Sequence, residues 1–429
     1  MISDQETAGL VAADKQFVWH PFTNMAEWCQ REHDPAVIVG GHGAVLRDSR
    51  GREYIDGNSS IWTNVHGHNH PVINRAIREQ LERIAHCSFL GATHPTAIEL
   101  AREIVALFPR KTLTRVFYSD DGSTAIEAAL RMAAQFFRLR GQGKRNIFVS
   151  FRHAYHGDTA GAAALGAATM FGANGEAWHF PVKMVNSIDE LAKLSRAQRN
   201  AIAAVIIEPL IQGAAGMRIW PAGTCAALRD WCDEAGALLI ADEVMTGFGR
   251  TGKMFAVERE NAIPDVMALG KGLSGGYLPL ALTLTTEEVF SEFDGSVTSG
   301  HALAYGHSYT ANPLGCAAAR ASLEIFREED VLERLGSKIA RMNQLLQSLR
   351  ELPGVAEVRQ CGFIAGIEMA DEAIAREICD RARAGGLLTR NIRNVVVLMP
   401  PLCTTVEQLD RAASALTNAI TAEPEPALA

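Results

Sequence analysis

The stretch LLIADEVMTGFGRTGKM, residues 238–254, decides how the chain is read. An apolar run, Leu238 to Ala241, ends on two carboxylates, Asp242 and Glu243, as a buried strand ends at a sheet rim. Gly247, Gly252 and Lys253 then reproduce the G-x-x-x-x-G-K spacing of a phosphate loop. A phosphate loop needs Ser or Thr after its lysine to hold magnesium, and it follows its strand directly. Here Met254 follows Lys253 and EVMT intervenes, so the carboxylate, and not the glycine loop, is the chemical feature.

Outward from this strand, RVFYS, NIFVSF, AAVIIEP, ALLIADE, DVMALG and LALTLT alternate between residues 97 and 285 with segments of helical period such as STAIEAALRMAAQFFRLR and CAALRDWCDEAG. Such alternation predicts an α/β fold, with helices on both faces of a mostly parallel sheet. Ligands bind at the carboxyl ends of the strands in such sheets. The polar residues closing each run (Ser119, Asp120, Glu208, Asp242, Glu243 and Lys271) are therefore expected on one rim.

The 429 residues suffice for two domains. We expect residues 1–60 to join a small domain, 61–325 to form the large one, 326–420 to complete the small α+β domain and 421–429 to be disordered. AVLRDSRGREYIDG reads as a hairpin whose partner the pattern does not identify. A spread net charge of −8 offers no basic face for nucleic acid. The eight cysteines make no C-x-x-C, indicating neither a zinc ribbon nor a disulfide framework. With no secretory pattern in MISDQETAGLVAADKQ and no run of about 18 apolar residues, a cytoplasmic protein without a membrane span is expected.

GKGLSG, residues 270–275, fits G-x-G-x-x-G, but it lies late in the chain and precedes another strand-like run, YLPLALTLTT. A dinucleotide fingerprint instead opens a helix at the first strand. What remains is Lys271 among glycines, directly after an apolar strand. Alone it reads as a solvated loop lysine; walled by apolar residues, its charged form is disfavoured and it becomes a Schiff-base nucleophile. SDDGSTAIEAALRMA, residues 119–133, places the amides of Gly122 and Ser123 at a helix start, either an ordinary cap or an anion site. A carboxylate at a strand end, an anion-binding helix start and a lysine in a glycine turn together match what pyridoxal phosphate requires.

These motifs, with SYTANPLGCAAA downstream, resemble the class III pyridoxal phosphate aminotransferases of fold type I, from about residue 17 to 415. Within that class, WHPFTNM, DGNSSIWTNVHGHNHP, RHAYHGDTAGA and LMPP resemble the biotin-synthesis branch, which converts 8-amino-7-oxononanoate to 7,8-diaminononanoate. The resemblance implies a homodimer acting on a keto acid and an amino donor. Lys271 would carry the cofactor, Asp242 would pair with its ring nitrogen, and Tyr155 and Val244 would flank the ring. Gly122 and Ser123 would hold the phosphate, with His307 and Ser308 from the neighbouring subunit. Arg390 would grip the substrate carboxylate, with Arg250 a second candidate and Phe22, Ile61, Trp62 and Gly306 also against the substrate. Phe22 and Trp62 would wall an aliphatic tunnel or else be core aromatics.

Phe22 and Ile61 depart from the Tyr and second Trp common in this branch, so lysine competes with S-adenosylmethionine as the implied donor. Another class III ω-aminotransferase, acting on ornithine, 4-aminobutyrate or a β-amino acid, is the alternative. His66, His68 and His70 alternate as metal ligands would on a strand, yet no acidic or cysteine partner accompanies them, and no metal is expected.

Overall fold

The computed structural model of the chain describes residues 2–166, 180–296 and 298–422; the tail expected to be disordered lies outside them from residue 423 onward. The large sheet has seven strands, numbered here in chain order: β1 (Leu113–Ser119), β2 (Ile147–Phe151), β3 (Val182–Val185), β4 (Ile202–Ile207), β5 (Leu238–Asp242), β6 (Val266–Leu269) and β7 (Ala281–Thr286). They lie side by side in the order β1-β7-β6-β5-β4-β2-β3. Only β7 runs antiparallel to its neighbours, so the sheet is mostly parallel as expected.

Strands β4 and β5 are buried at every position, which explains their unbroken apolar sequence. Alternate residues of β4 face opposite layers. Ala204 and Ile206 pack with Ala125, Ile126 and Ala129 of the helix Gly122–Leu139, whereas Val205 and Ile207 pack with Leu228, Trp231 and Cys232 of the helix Thr224–Ala235. Each fully buried Ile or Leu contributes about 1.5–3 kcal/mol to holding those layers together.

The hairpin of Val45–Asp48 and Glu53–Asp56 finds a distant partner. Glu53–Asp56 pairs in parallel with Leu387–Leu388, and Ile38–His42 extends the other edge. A second antiparallel sheet is built from Val355–Cys361, Ile364–Met369, Val395–Leu398 and Asn391–Ile392, and the helices Glu372–Ala384 and Val406–Thr421 pack together nearby. One apolar core runs continuously from Leu113 and Leu284 of the large sheet to Leu346, Val396 and Leu416. Among the described residues no helix is long and apolar enough to cross a membrane.

Candidate active site

A cleft of about 1910 Å³ opens where β1, β4 and β5 end, bounded on its far side by residues 19–33 and 390–393. Asp242 is the last residue of β5 and lines this cleft. Its Oδ2 accepts from Nδ1 of buried His156 at 2.6 Å and its Oδ1 from the amide of Val244 at 3.1 Å. The carboxylate is thus held in one orientation before any ligand arrives.

Lys271 lines the same cleft, at the start of the short 3-10 turn Lys271–Ser274 that follows β6. Its φ of +40° is a left-handed conformation that lysine adopts only where the surroundings over-determine it. Nζ lies 4.9 Å from the centre of the Trp62 ring and has no ion pair among the described residues. Burial lowers the basicity of this amine; the nearby charges of Asp242 and Glu208 oppose that shift, and that of Arg250 adds to it.

Glycine allows the helix Gly122–Leu139 to start hard against this chemistry: a Cβ on Gly122 would come within 2.5 Å of Val244 Cγ1. Asp121 caps the helix, accepting from Thr124 N at 2.9 Å while Thr124 Oγ1 accepts from Asp121 N at 3.0 Å. That box leaves the amides of Gly122 and Ser123 without a partner among the described residues, as the first turn of a helix does. Gly157 packs so closely on Ser123 that no side chain fits there, and Asp158 N donates to Ser123 Oγ at 3.2 Å. Tyr155 reaches the cleft with its hydroxyl donating to Asp158 at 2.6 Å.

The far wall contains Phe22, Ile61, Trp62 and Arg390. Trp62 ends a run of four consecutive left-handed residues, Ser59 to Trp62, with φ between 47° and 67°. No glycine relieves this run, and side-chain bonds hold it instead. Asp56 accepts from Ser60 N and Ser60 Oγ at 3.0 Å each, Ser59 Oγ donates to Met399 O at 2.7 Å, and Trp62 Nε1 donates to Asn58 Oδ1 at 2.9 Å. Arg390 is half-buried, makes no ion pair among the described residues, and loses some basicity through burial.

Four residues expected at the site lie elsewhere in this single chain. Arg250 is not on the cleft wall. It is 1% exposed and donates to the carbonyls of Pro400 at 2.7 Å and Asn64 at 2.9 Å, beneath the Trp62 turn, where burial pushes its pKa down to about 9. Gly306 and Ser308 are exposed, and His307 Nδ1 lies 3.3 Å from Asp120 Oδ2 at the rim. Of the rim residues, Asp120 and Glu208 reach the cleft, while Ser119 and Glu243 are buried away from it.

Lys253 of the phosphate-loop look-alike is exposed and outside the cleft. The three alternating histidines go to three partners: His66 to Ser322 at 3.0 Å, His68 to Asp56 at 2.9 Å and His70 to Glu329 at 3.4 Å. Sequence reasoning placed Glu208 on the rim without naming its partners, the amides of Tyr155 at 3.2 Å and Gly213 at 3.0 Å, and did not find the His156 contact with Asp242. In the sequence His156 stands beside Tyr155, and nothing local links it to Asp242.

These residues fit pyridoxal phosphate on their own geometry. An amine and two helix-start amides, all without hydrogen-bond partners among the described residues, face one cleft with an oriented carboxylate. The family model Aminotransferase class-III matches residues 28–420. Eight relatives, 34–42% identical to this chain over 91–98% of it, are named adenosylmethionine-8-amino-7-oxononanoate aminotransferase. Among them, the protein of Nitratidesulfovibrio vulgaris is 42% identical, with 98% of this chain and 83% of the relative covered, and that of Geobacter sulfurreducens is 40% identical, with 95% and 96% covered. The crystal structure of the enzyme so named from Methanocaldococcus jannaschii superposes with a TM-score of 0.93 at 38% identity, covering 96% of this chain and 98% of that one. An amine transaminase of an uncultivated Pseudomonas species, solved with PLP bound, gives 0.88 at 31% identity, with 94% and 98% covered. This chain belongs to the class III aminotransferases.

Proposed function

We propose that this chain transfers an amino group to 8-amino-7-oxononanoate, giving 7,8-diaminononanoate for biotin synthesis, with pyridoxal phosphate resident in the cleft and S-adenosylmethionine or lysine as donor. The observation that carries the substrate is the shared name of the relatives described above, which also favours S-adenosylmethionine. We take the protein to be a cytoplasmic homodimer whose small domain draws on residues 1–60 and 326–420, a reading supported by the eight free cysteines and by the pairing of Glu53–Asp56 with Leu387–Leu388.

When bound, the cofactor supplies an electron-withdrawing ring that makes the proton on the amine-bearing carbon labile. Lys271 would hold it through Nζ, Gly122 and Ser123 would take its phosphate, and Tyr155 and Val244 would flank the ring. Asp242 would keep the ring nitrogen protonated, and His156 on Oδ2 keeps that carboxylate aimed. Once the donor amine has displaced Nζ of Lys271 from the cofactor, the freed amine would take the proton from the donor carbon and later deliver one to the acceptor carbon; its lowered basicity favours the neutral form that the first task needs. The Trp62 ring lies against the amine, its centre 4.9 Å from Nζ.

Arg390, without an ion pair among the described residues, offers a guanidinium fork for the far carboxylate, so the span from Arg390 to Lys271 would select which carbon reacts. Phe22, Ile61 and Trp62 would enclose the aliphatic chain between them. Ser308, with His307 and Gly306, would reach the cleft of a second copy and complete its phosphate site.

The purified chain, given 8-amino-7-oxononanoate with S-adenosylmethionine or with lysine, should form diaminononanoate detectable by mass spectrometry. No diamine from either donor, alongside turnover of ornithine or 4-aminobutyrate, would replace this reading with that of another ω-aminotransferase.

A further inference from the structure

Glu208 follows β4 as Asp242 closes β5, and the two strands run in parallel with Ala241 paired to Ile207. The two carboxyl groups therefore leave neighbouring strands at the same level, both lining the cleft. His156 holds Asp242, whereas among the described residues Glu208 is held by backbone amides. Its Oε2 accepts from Tyr155 N at 3.2 Å and its Oε1 from Gly213 N at 3.0 Å, and its residue is 6% exposed.

Those two amides belong to segments far apart in the chain. Tyr155 presents its ring to the cleft. Gly213 backs Trp62, since a Cβ placed on it would sit 3.3 Å from Trp62 Cζ3 and collide with the Met245 sulfur. One carboxyl thus spans the segment carrying Tyr155 and the loop that seats the ring lying over Lys271 Nζ. We infer that Glu208 is a positioning residue for Lys271: its carboxyl clamps the Tyr155 and Gly213 segments to each other and supplies a second negative charge beside the amine, next to that of Asp242. The inference rests on Lys271 being the reacting amine and is indifferent to which keto acid is used.

The charges facing Glu208 are those of Asp242, His156 and Lys271; the Tyr155 hydroxyl is turned to Asp158. Burial pushes Glu208 up to about 7, with Asp242 acting in the same direction and His156 and the two amides against it. Its charge consequently appears as pH rises through neutrality, and each increment favours the protonated form of Lys271.

Two variants of the holoenzyme test charge and clamp together. Glu208→Gln removes the charge and also one of the two accepted bonds, because its amide nitrogen only donates. Glu208→Asp keeps the charge but is one carbon too short to reach both amides, so a change seen in Glu208→Gln and not in Glu208→Asp belongs to the charge. The pH midpoint of the visible absorbance change of the bound cofactor should fall in Glu208→Gln by about one unit. It should stay at the wild-type value in Glu208→Asp, whose kcat/KM should nevertheless drop about tenfold, the loss of one buried hydrogen bond. Equal midpoints in wild type and Glu208→Gln overturn the charge role, and wild-type kcat/KM in Glu208→Asp overturns the clamp. A preparation with no visible cofactor band would instead overturn the reading of Lys271 on which both depend. If Glu208→Gln does not fold, as judged by melting, Glu208→Asp alone decides the clamp.

Discussion

Asp242 and Glu243 are adjacent in the chain and serve opposite sides of the sheet. Asp242 lines the cleft and accepts from His156 at 2.6 Å, whereas Glu243 is fully buried and accepts from the amide of Val257 at 2.8 Å. Successive side chains at a strand end point to opposite faces, so the DE pair yields one carboxylate for chemistry and one for the fold. Replacing Asp242 with Asn leaves the shape and removes the charge that would hold a ring nitrogen protonated. Asp242→Asn should retain some cofactor and lose on the order of 3 kcal/mol of transition-state stabilisation, about a hundredfold in kcat. Unchanged turnover in a steady-state assay would remove Asp242 from that role.

Glu243 gives a prediction about stability and not about turnover. Burial raises its pKa from 4.5 to about 7, outweighing bonds from Thr246 and from the amides of Val257 and Ala256. An acid with a raised folded-state pKa keeps its full contribution below the unfolded value, near 4.5, and loses it as pH rises through about 7. Wild type should therefore weaken between pH 5.5 and 8.5 by about 2 kcal/mol from this group alone. Glu243→Gln should flatten that decline, as melting curves at both pH values would reveal. An equally steep decline in the variant would mean that Glu243 is ionised at neutral pH.

What the sequence disclosed, and what it hid, follows from burial and locality. β4 and β5 were legible because every residue of each is buried. β3 was not, since only Val185 of its four residues is buried at the sheet edge. The hairpin of residues 44–57 announced itself by local turn chemistry, but its parallel partner at Leu387–Leu388 has no local signature. NSSIW contains no glycine, so four left-handed residues in a row could not be foreseen; only the bonds to Asp56, Asn58 and Met399 make them affordable. Arg250 was expected against substrate because arginine suits carboxylates, yet its two terminal nitrogens donate instead to the backbone carbonyls of Pro400 and Asn64.

Ser308 offers a test of assembly. It is exposed, and within one chain it is not part of the cleft wall. If it serves the cleft of a second copy, Ser308→Ala should weaken cofactor retention in trans. Lys271→Ala should abolish turnover and leave no cofactor fixed by borohydride reduction. Mixing the two inactive or weakened variants after subunit exchange should restore one intact site per mixed dimer, near half the wild-type activity expected of the heterodimer fraction. Mixed samples no more active than the sum of their parents would count against a shared site.

Ile61 joins strain to donor choice. It is 50% exposed on the cleft wall with φ of +66°, an unfavourable conformation for a β-branched side chain. Phe22, also in a left-handed conformation and 62% exposed, faces the same cleft. An adenine ring gains from a flat aromatic neighbour at each of these positions; Phe22 offers one, and aliphatic Ile61 does not. Ile61→Trp combined with Phe22→Tyr should relieve the crowding at Cβ and add a stacking face worth about 1 kcal/mol. The double variant is therefore expected to gain roughly fivefold in kcat/KM for S-adenosylmethionine, with that for lysine unchanged or lower. Parallel kinetics with the two donors decide the matter: an equal gain for both would mean that the substitutions act on the common keto-acid step, and a loss for S-adenosylmethionine would mean that Ile61 and Phe22 already fit the donor this chain uses.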